Sequence, residues 1–107
     1  MMDEQKVAGM IGLAVRARQA QLGAGRALDC LRAGKAGLLL LDDAVSDNTR
    51  KRFTDACATH EVESLMLPPG LLGQAAGRMD TMVAALLKGG LADRLRGMGR
   101  SDIIDEE

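Results

Sequence analysis

Two glycine-rich turns hold the residues of this chain best suited to chemistry: Leu22-Gly23-Ala24-Gly25-Arg26-Ala27-Leu28 and Leu72-Gly73-Gln74-Ala75-Ala76-Gly77-Arg78-Met79. That chemistry is phosphate contact rather than bond-making. Glycines ahead of a helix leave backbone N–H groups free for an anion, and the helix dipole favours its charge. Arg26 falls on the first turn of such a helix, and Arg78 follows Gly77, which reads as a helix C-cap. The first turn is not a dinucleotide fingerprint, because the third glycine of G-x-G-x-x-G falls at Leu28. A plain strand-to-helix turn stands as the alternative for Gly23 to Arg26. A surface arginine beside a half-buried methionine is the alternative for Arg78 and Met79.

The other reactive side chains form no working set. Asn48-Thr49-Arg50-Lys51-Arg52 is strongly basic, but successive helical positions diverge around the axis and cannot all face one ligand. A solvated helical face is the commoner meaning of such a run. Asp42-Asp43 follows an apolar run, yet no further acidic cluster and no placed lysine turns it into a metal or phospho-acceptor pocket. His60 is the single histidine and falls near a helix end, where it complements the dipole. Cys30 and Cys57 are far apart in no metal-ligand spacing and read as small buried filler. No catalytic constellation assembles from these residues, so neither an enzyme nor a bound metal or cofactor is expected.

Composition narrows the partner. The 107 residues suffice for one domain and one core. Phe53 is the only aromatic residue, so the core must be built from Leu, Ala, Val, Ile and Met. The same lack disfavours single-strand binding by base stacking. Fourteen basic and fifteen acidic residues give a net charge of −1, so any contact with nucleic acid must be local. Residues 101–107 carry four acidic groups and no basic one, which leaves residues 1–100 at +3. A domain over 1–98 and an acidic, flexible tail over 99–107 are expected. The acidic, polar start shows no visible secretory signal, and no segment approaches the ~20 apolar residues that a membrane span needs. A cytoplasmic setting follows as the expectation.

These turns must be positioned by an alternation of helices and strands. Val7, Met10, Ile11 and Ala14 follow the helical i, i+3, i+4, i+7 template behind Asp3 and Glu4. An extended piece over Gln19 to Leu22 leads into a second helix that ends near Arg32, with Gly34 as terminator. Ala36 to Leu41 lacks polar alternation and reads as a central strand covered on both faces. Ser46 or Asp47 caps a third helix running to about His60, with Phe53, Ala56 and Cys57 inward. Val62 to Leu67 is the next strand, followed by a short helix over Gly70 to Ala76. Thr81 to Leu87 is the last strand, and a final helix passes through Leu91 and Leu95. The fold class is α/β: a three-layer α/β/α sandwich with about four strands in a mixed sheet and helices on both faces.

Read together, Ile11-Gly12-Leu13-Ala14, the segment Ser46 to Cys57 and Leu72 to Arg78 resemble the small bacterial relatives of the ribosomal protein L-seven-Ae / L-thirty-e family. The resemblance runs from about Val7 to Leu95. It implies a non-catalytic, monomeric RNA-binding protein acting on structured RNA, in a ribosomal or ribonucleoprotein setting, with ribosome-associated proteins as further partners. It implies an RNA-binding face made of Gly23, Ala24, Gly25 and Arg26 together with Gly77, Arg78 and Met79. In the family, the first turn reads the paired G·A edges of a kink-turn through Gly, a polar run such as Asn-Glu, and a Lys. The matching positions here are Gly25, Arg26 and Asp29, so the side-chain acceptors are absent and an anion replaces the lysine. Arg26 and the backbone amides keep the capacity to hold phosphate. A protein-interaction module that retained the fold without RNA binding is the alternative.

Overall fold

A computed structural model describes residues 3–104, with side chains described as far as Met98. Asp3 accepts the Lys6 N–H at 3.2 Å and so caps α1, Glu4–Arg16, which buries Val7, Ile11 and Ala14 along one stripe. Ala20–Leu22 forms β1, and α2 spans Ala24–Arg32. β2 is Ala36–Asp42. Of the two candidate caps for the third helix, Ser46 is the one used: its hydroxyl accepts the Thr49 N–H at 3.2 Å, and α3 runs Asp47–His60. β3 (Ser64–Leu67), α4 (Leu71–Ala76), β4 (Val83–Leu87) and α5 (Gly90–Ile104) complete the chain.

The sheet order is β1-β4-β2-β3. β3 runs parallel to β2, while β4 is antiparallel to both β1 and β2, so the sheet is mixed. Side chains alternate across a strand, and β2 uses both faces for core. Leu39 and Leu41 join Ala27, Leu31, Phe53 and Cys57 under α2 and α3. Leu38 and Leu40 join Val7, Ile11, Leu72 and Leu95 under α1, α4 and α5. Three layers result, as the uninterrupted apolar run of β2 leads one to expect.

Two strands start later than their apolar runs. The Val62 N–H is taken by the Cys57 carbonyl at 2.9 Å, which completes the end of α3 and delays β3 to Ser64. The Thr81 N–H closes a turn onto the Arg78 carbonyl at 2.9 Å, and β4 starts only at Val83. Ala56 is half-buried, whereas Phe53 and Cys57 are buried. The backbone of α5 continues into the segment 99–107. The acidic tail's side chains and residues 105–107 lie outside the described residues. No helix among the described residues is long and apolar enough to cross a membrane.

Candidate functional site

The topology gathers loops at one edge of the sheet, where β1, β2 and β3 end and β4 begins. Three helices start there: α2 after Gly23, α3 after Ser46 and α4 after Gly70. Their amino ends carry positive potential to one side of the molecule. The three starts differ in what their amides do. Ser46 caps α3 with its own side chain, and the Gly70 N–H is taken by Asp42. α2 has no side-chain cap, because its N-cap residue is Gly23. The first amides of a helix have no partner within it, so those of Ala24, Gly25 and Arg26 remain available to an outside acceptor.

Gly23 is held in place by its own N–H, which donates to the Val83 carbonyl at 2.8 Å. Its φ of 97° lies in the region that favours glycine. Ala24, Gly25 and Arg26 are all exposed on the first turn of α2.

The second glycine turn reaches the same edge. Gly77 closes α4 in a left-handed conformation, and the Arg78 N–H donates to the Gly73 carbonyl at 3.0 Å. Gly77, Arg78 and Met79 are exposed, Met79 to 74%. The loop then passes Asp80 and Met82 before entering β4. A groove of about 310 Å³ is lined by Gly23 and Ala24 on one side, Ser46 and Thr49 on another, and Asp80 and Met82 on the third. Gly23 and Ala24 of the first turn line this groove, whereas Gly77, Arg78 and Met79 precede its Asp80 in the chain and are not among its lining residues. Arg26 turns elsewhere, into a second groove along the flank of α2.

The basic run on α3 divides as its spacing implies. Arg50 donates to the Asp43 carbonyl at 2.7 Å and lies 3.4 Å from the Asp43 carboxylate, so it fastens the β2–α3 turn. Arg52 lies 6.0 Å from the centroid of the Phe53 ring, and Lys51 is exposed.

Asp42 is the residue whose importance its sequence context hid. Its side chain is 1% exposed, and its carboxylate accepts the Ala44 N–H at 2.7 Å and the Gly70 N–H at 2.9 Å. It therefore ties the end of β2 to the start of α4 and closes the turn that leads toward α3. A carboxylate directly after an apolar strand is a signal for such a turn, but its partner lies 28 residues away. Asp80 and Met82 also line the groove without any motif to mark them, as does Thr49 of the basic run.

The remaining reactive groups lie away from this edge. His60 lines a hollow of about 560 Å³ at the opposite edge, with Glu61, Lys88, Asp93 and Arg96. Burial pushes the Cys57 thiol up to about 11. Burial also raises Cys30, against a smaller opposing effect of the Lys35 charge. Both are thereby kept as neutral thiols near pH 7. Among the described residues, no group of three or more His, Cys, Asp or Glu is placed to hold a metal ion.

No protein-family model matches the sequence. The chain is 32% identical over 87 residues to the RNA-binding protein YlxQ of Bacillus subtilis (strain 168), covering 80% of this chain and 87% of that protein. Among solved structures, a protein of unknown function from Bacillus halodurans C superposes with a TM-score of 0.83 at 24% identity, covering 87% of this chain and 95% of the other. The Giardia lamblia 15.5kD RNA binding protein superposes with a TM-score of 0.73 at 20% identity, covering 91% and 87%. At these identities the two structural likenesses speak to the fold.

Proposed function

The chain belongs to the L-seven-Ae / L-thirty-e-like family of the RNA-binding protein YlxQ, and from that premise we propose that it is a non-catalytic protein that binds structured RNA at the sheet edge bearing Gly23 and Gly77. The observation that carries the reading is the groove that joins Gly23 and Ala24 to the loop after Arg78, next to the uncapped start of α2. Backbone amides of Ala24, Gly25 and Arg26 meet a phosphate, and Arg78 meets a second phosphate or a guanine edge. Met79, with its flexible apolar side chain in solvent, lies against a base turned out of its helix. Phosphate contacts position the RNA, and its bent shape selects it.

The edge is not strongly basic. Arg26 and Arg78 share it with Asp43, Asp47 and Asp80, and Arg50 is committed to Asp43. Recognition then depends on shape and backbone amides more than on a broad electrostatic field. The targets we propose are ribosomal or ribonucleoprotein RNAs in the cytoplasm, bound by a monomer. The alternative of a protein-interaction module calls for a wide exposed apolar patch. Leu13 at 42% and Met79 at 74% are the exposed large hydrophobics among the described residues.

The deciding experiment is equilibrium binding of the full chain to a kink-turn RNA, an unkinked duplex of equal length and ribosomal RNA, over a salt series. Preference for the kinked RNA is the expected result. Binding to ribosomal RNA alone keeps the RNA reading with a different target. Failure to bind any of the three at low salt overturns it in favour of a protein partner.

A further inference from the structure

The groove that receives Arg26 extends past the edge. It has a volume of about 290 Å³ and is lined by Gln21 of β1, Arg26, Asp29, Cys30 and Ala33 of α2, then Lys35 and Leu87. β1 is the outermost strand of the sheet, so this flank of the molecule is uncovered. Arg26 stands at the end near Gly23, and Lys35 at the far end. α2, which starts two residues before Arg26 and ends three before Lys35, has nine residues, about 13 Å of helix at ~1.5 Å per residue. Beyond Lys35 the cations continue. The Lys88 N–H donates to the Lys35 carbonyl at 3.0 Å, and the Leu87 N–H donates to the Gln19 carbonyl at 2.8 Å. These bonds seat Lys35, Lys88 and the Arg18–Gln19 turn side by side. All four cations are exposed. None of Arg18, Arg26, Lys35 and Lys88 enters an ion pair or a side-chain hydrogen bond among the described residues, whereas Arg50 and Arg96 do.

Separated cations along an open, partly apolar groove suit a polymer of regularly spaced anions better than a compact anion, which would need the charges to converge. Asp29 is the one anion lining the groove. It stands between Arg26 and Lys35 in sequence and divides the flank into two cationic positions. We propose that Arg26, Lys35 and Lys88, with Arg18 at the end, form a track for the RNA sugar-phosphate backbone, holding the stem that leaves the element bound at the sheet edge. This inference rests on the RNA reading above and assigns it a second, sequence-independent contact on a different surface.

The test compares two kink-turn RNAs, one with a short flanking stem and one with that stem lengthened by a helical turn. Each is titrated over a salt series with the native chain and with a Lys35→Ala/Lys88→Ala variant whose fold is checked by circular dichroism. For the native chain, the longer RNA should show a salt slope steeper by about three, one unit for each phosphate met by Lys35, Lys88 and Arg18. In the variant, which keeps Arg18, that difference should shrink to about one, with binding of the short RNA unchanged. Equal slopes for both RNAs on the native chain overturn the track and leave the edge site standing. A difference that persists undiminished in the variant removes Lys35 and Lys88 from it. No binding of either RNA overturns the track, and ribosomal RNA titrated in parallel then tells whether the RNA reading itself stands.

Discussion

Gly73 and Met79 are in backbone contact: a Cβ added to Gly73 would lie 2.7 Å from the Met79 carbonyl oxygen and 3.0 Å from that of Arg78. Both obstacles are main-chain atoms, so no side chain can swing aside. The absence of a side chain at Gly73 is what lets the loop bearing Arg78 and Met79 fold down against α4. Gly73→Ala is therefore expected to destabilise the protein by about 1–3 kcal/mol through overpacking. It should also displace the loop, so RNA affinity should fall at temperatures where the variant is still folded. Urea denaturation and RNA titration of the same sample separate the two effects.

Asp42 accepts two backbone amides from a nearly inaccessible position. Asp42→Ala leaves both N–H groups without that acceptor and is expected to cost about 1–3 kcal/mol. Amide hydrogen exchange should quicken at Ala44 and Gly70, while Asp42→Asn, which keeps one acceptor oxygen, should lose less. Unchanged exchange at Gly70 in the alanine variant would show that α4 is held by packing alone.

Arg26→Ala and Arg78→Ala are each expected to weaken RNA binding and to reduce the salt slope by about one unit. Arg50→Ala should leave that slope nearly unchanged, because its guanidinium is engaged by Asp43. With both partners substantially exposed, its effect on stability should stay within about 1 kcal/mol. A full unit of slope lost in Arg50→Ala would place that residue on the RNA.

Asp29 adds a negative charge to the flank that carries Arg26 and Lys35. Asp29→Lys should strengthen RNA binding and steepen its salt slope by about one unit, and Asp29→Asn should strengthen binding with a smaller change. Electrophoretic binding assays at two salt concentrations suffice to read the order of the three proteins.

The Cys57 thiol, buried at 5% exposure, is raised by burial from an ordinary 9.0 to about 11. Folding favours its neutral form, so this contribution to stability is complete below pH 9 and is lost as pH rises through 11. Native protein should lose more stability across that window than Cys57→Ala. At about pH 8, thiol reagents should label Cys57 only on unfolding. Rapid labelling of the folded protein would contradict the burial.

Much of the architecture follows from local pattern. The stripe Val7, Ile11 and Ala14 reads as one helical face, and the run Leu38 to Leu41 reads as a strand covered on both sides, and both form as read. Gly23, Gly34 and Gly77 marked helix boundaries because the left-handed or otherwise positive φ values they adopt are costly for other residues. Those features depend on neighbours a few residues apart, which a sequence displays directly. The ends of β3 and β4 were less legible, because Val62 and Thr81 are apolar or β-branched yet spend their amides on a helix end and a turn. The candidate site was marked in the sequence as two separate glycine turns, and chain folding alone brought Gly23 and Ala24 to one groove with Asp80 and Met82. Tertiary structure likewise decided that Arg50 fastens a turn, that Asp42 reaches Gly70, and that Arg26 shares a flank with Lys35 rather than the groove beside Gly23. The physical reason is the same in each case: a charged or polar side chain settles on the partner that packing brings within hydrogen-bond range, and that partner is set by the sheet's topology rather than by distance along the chain.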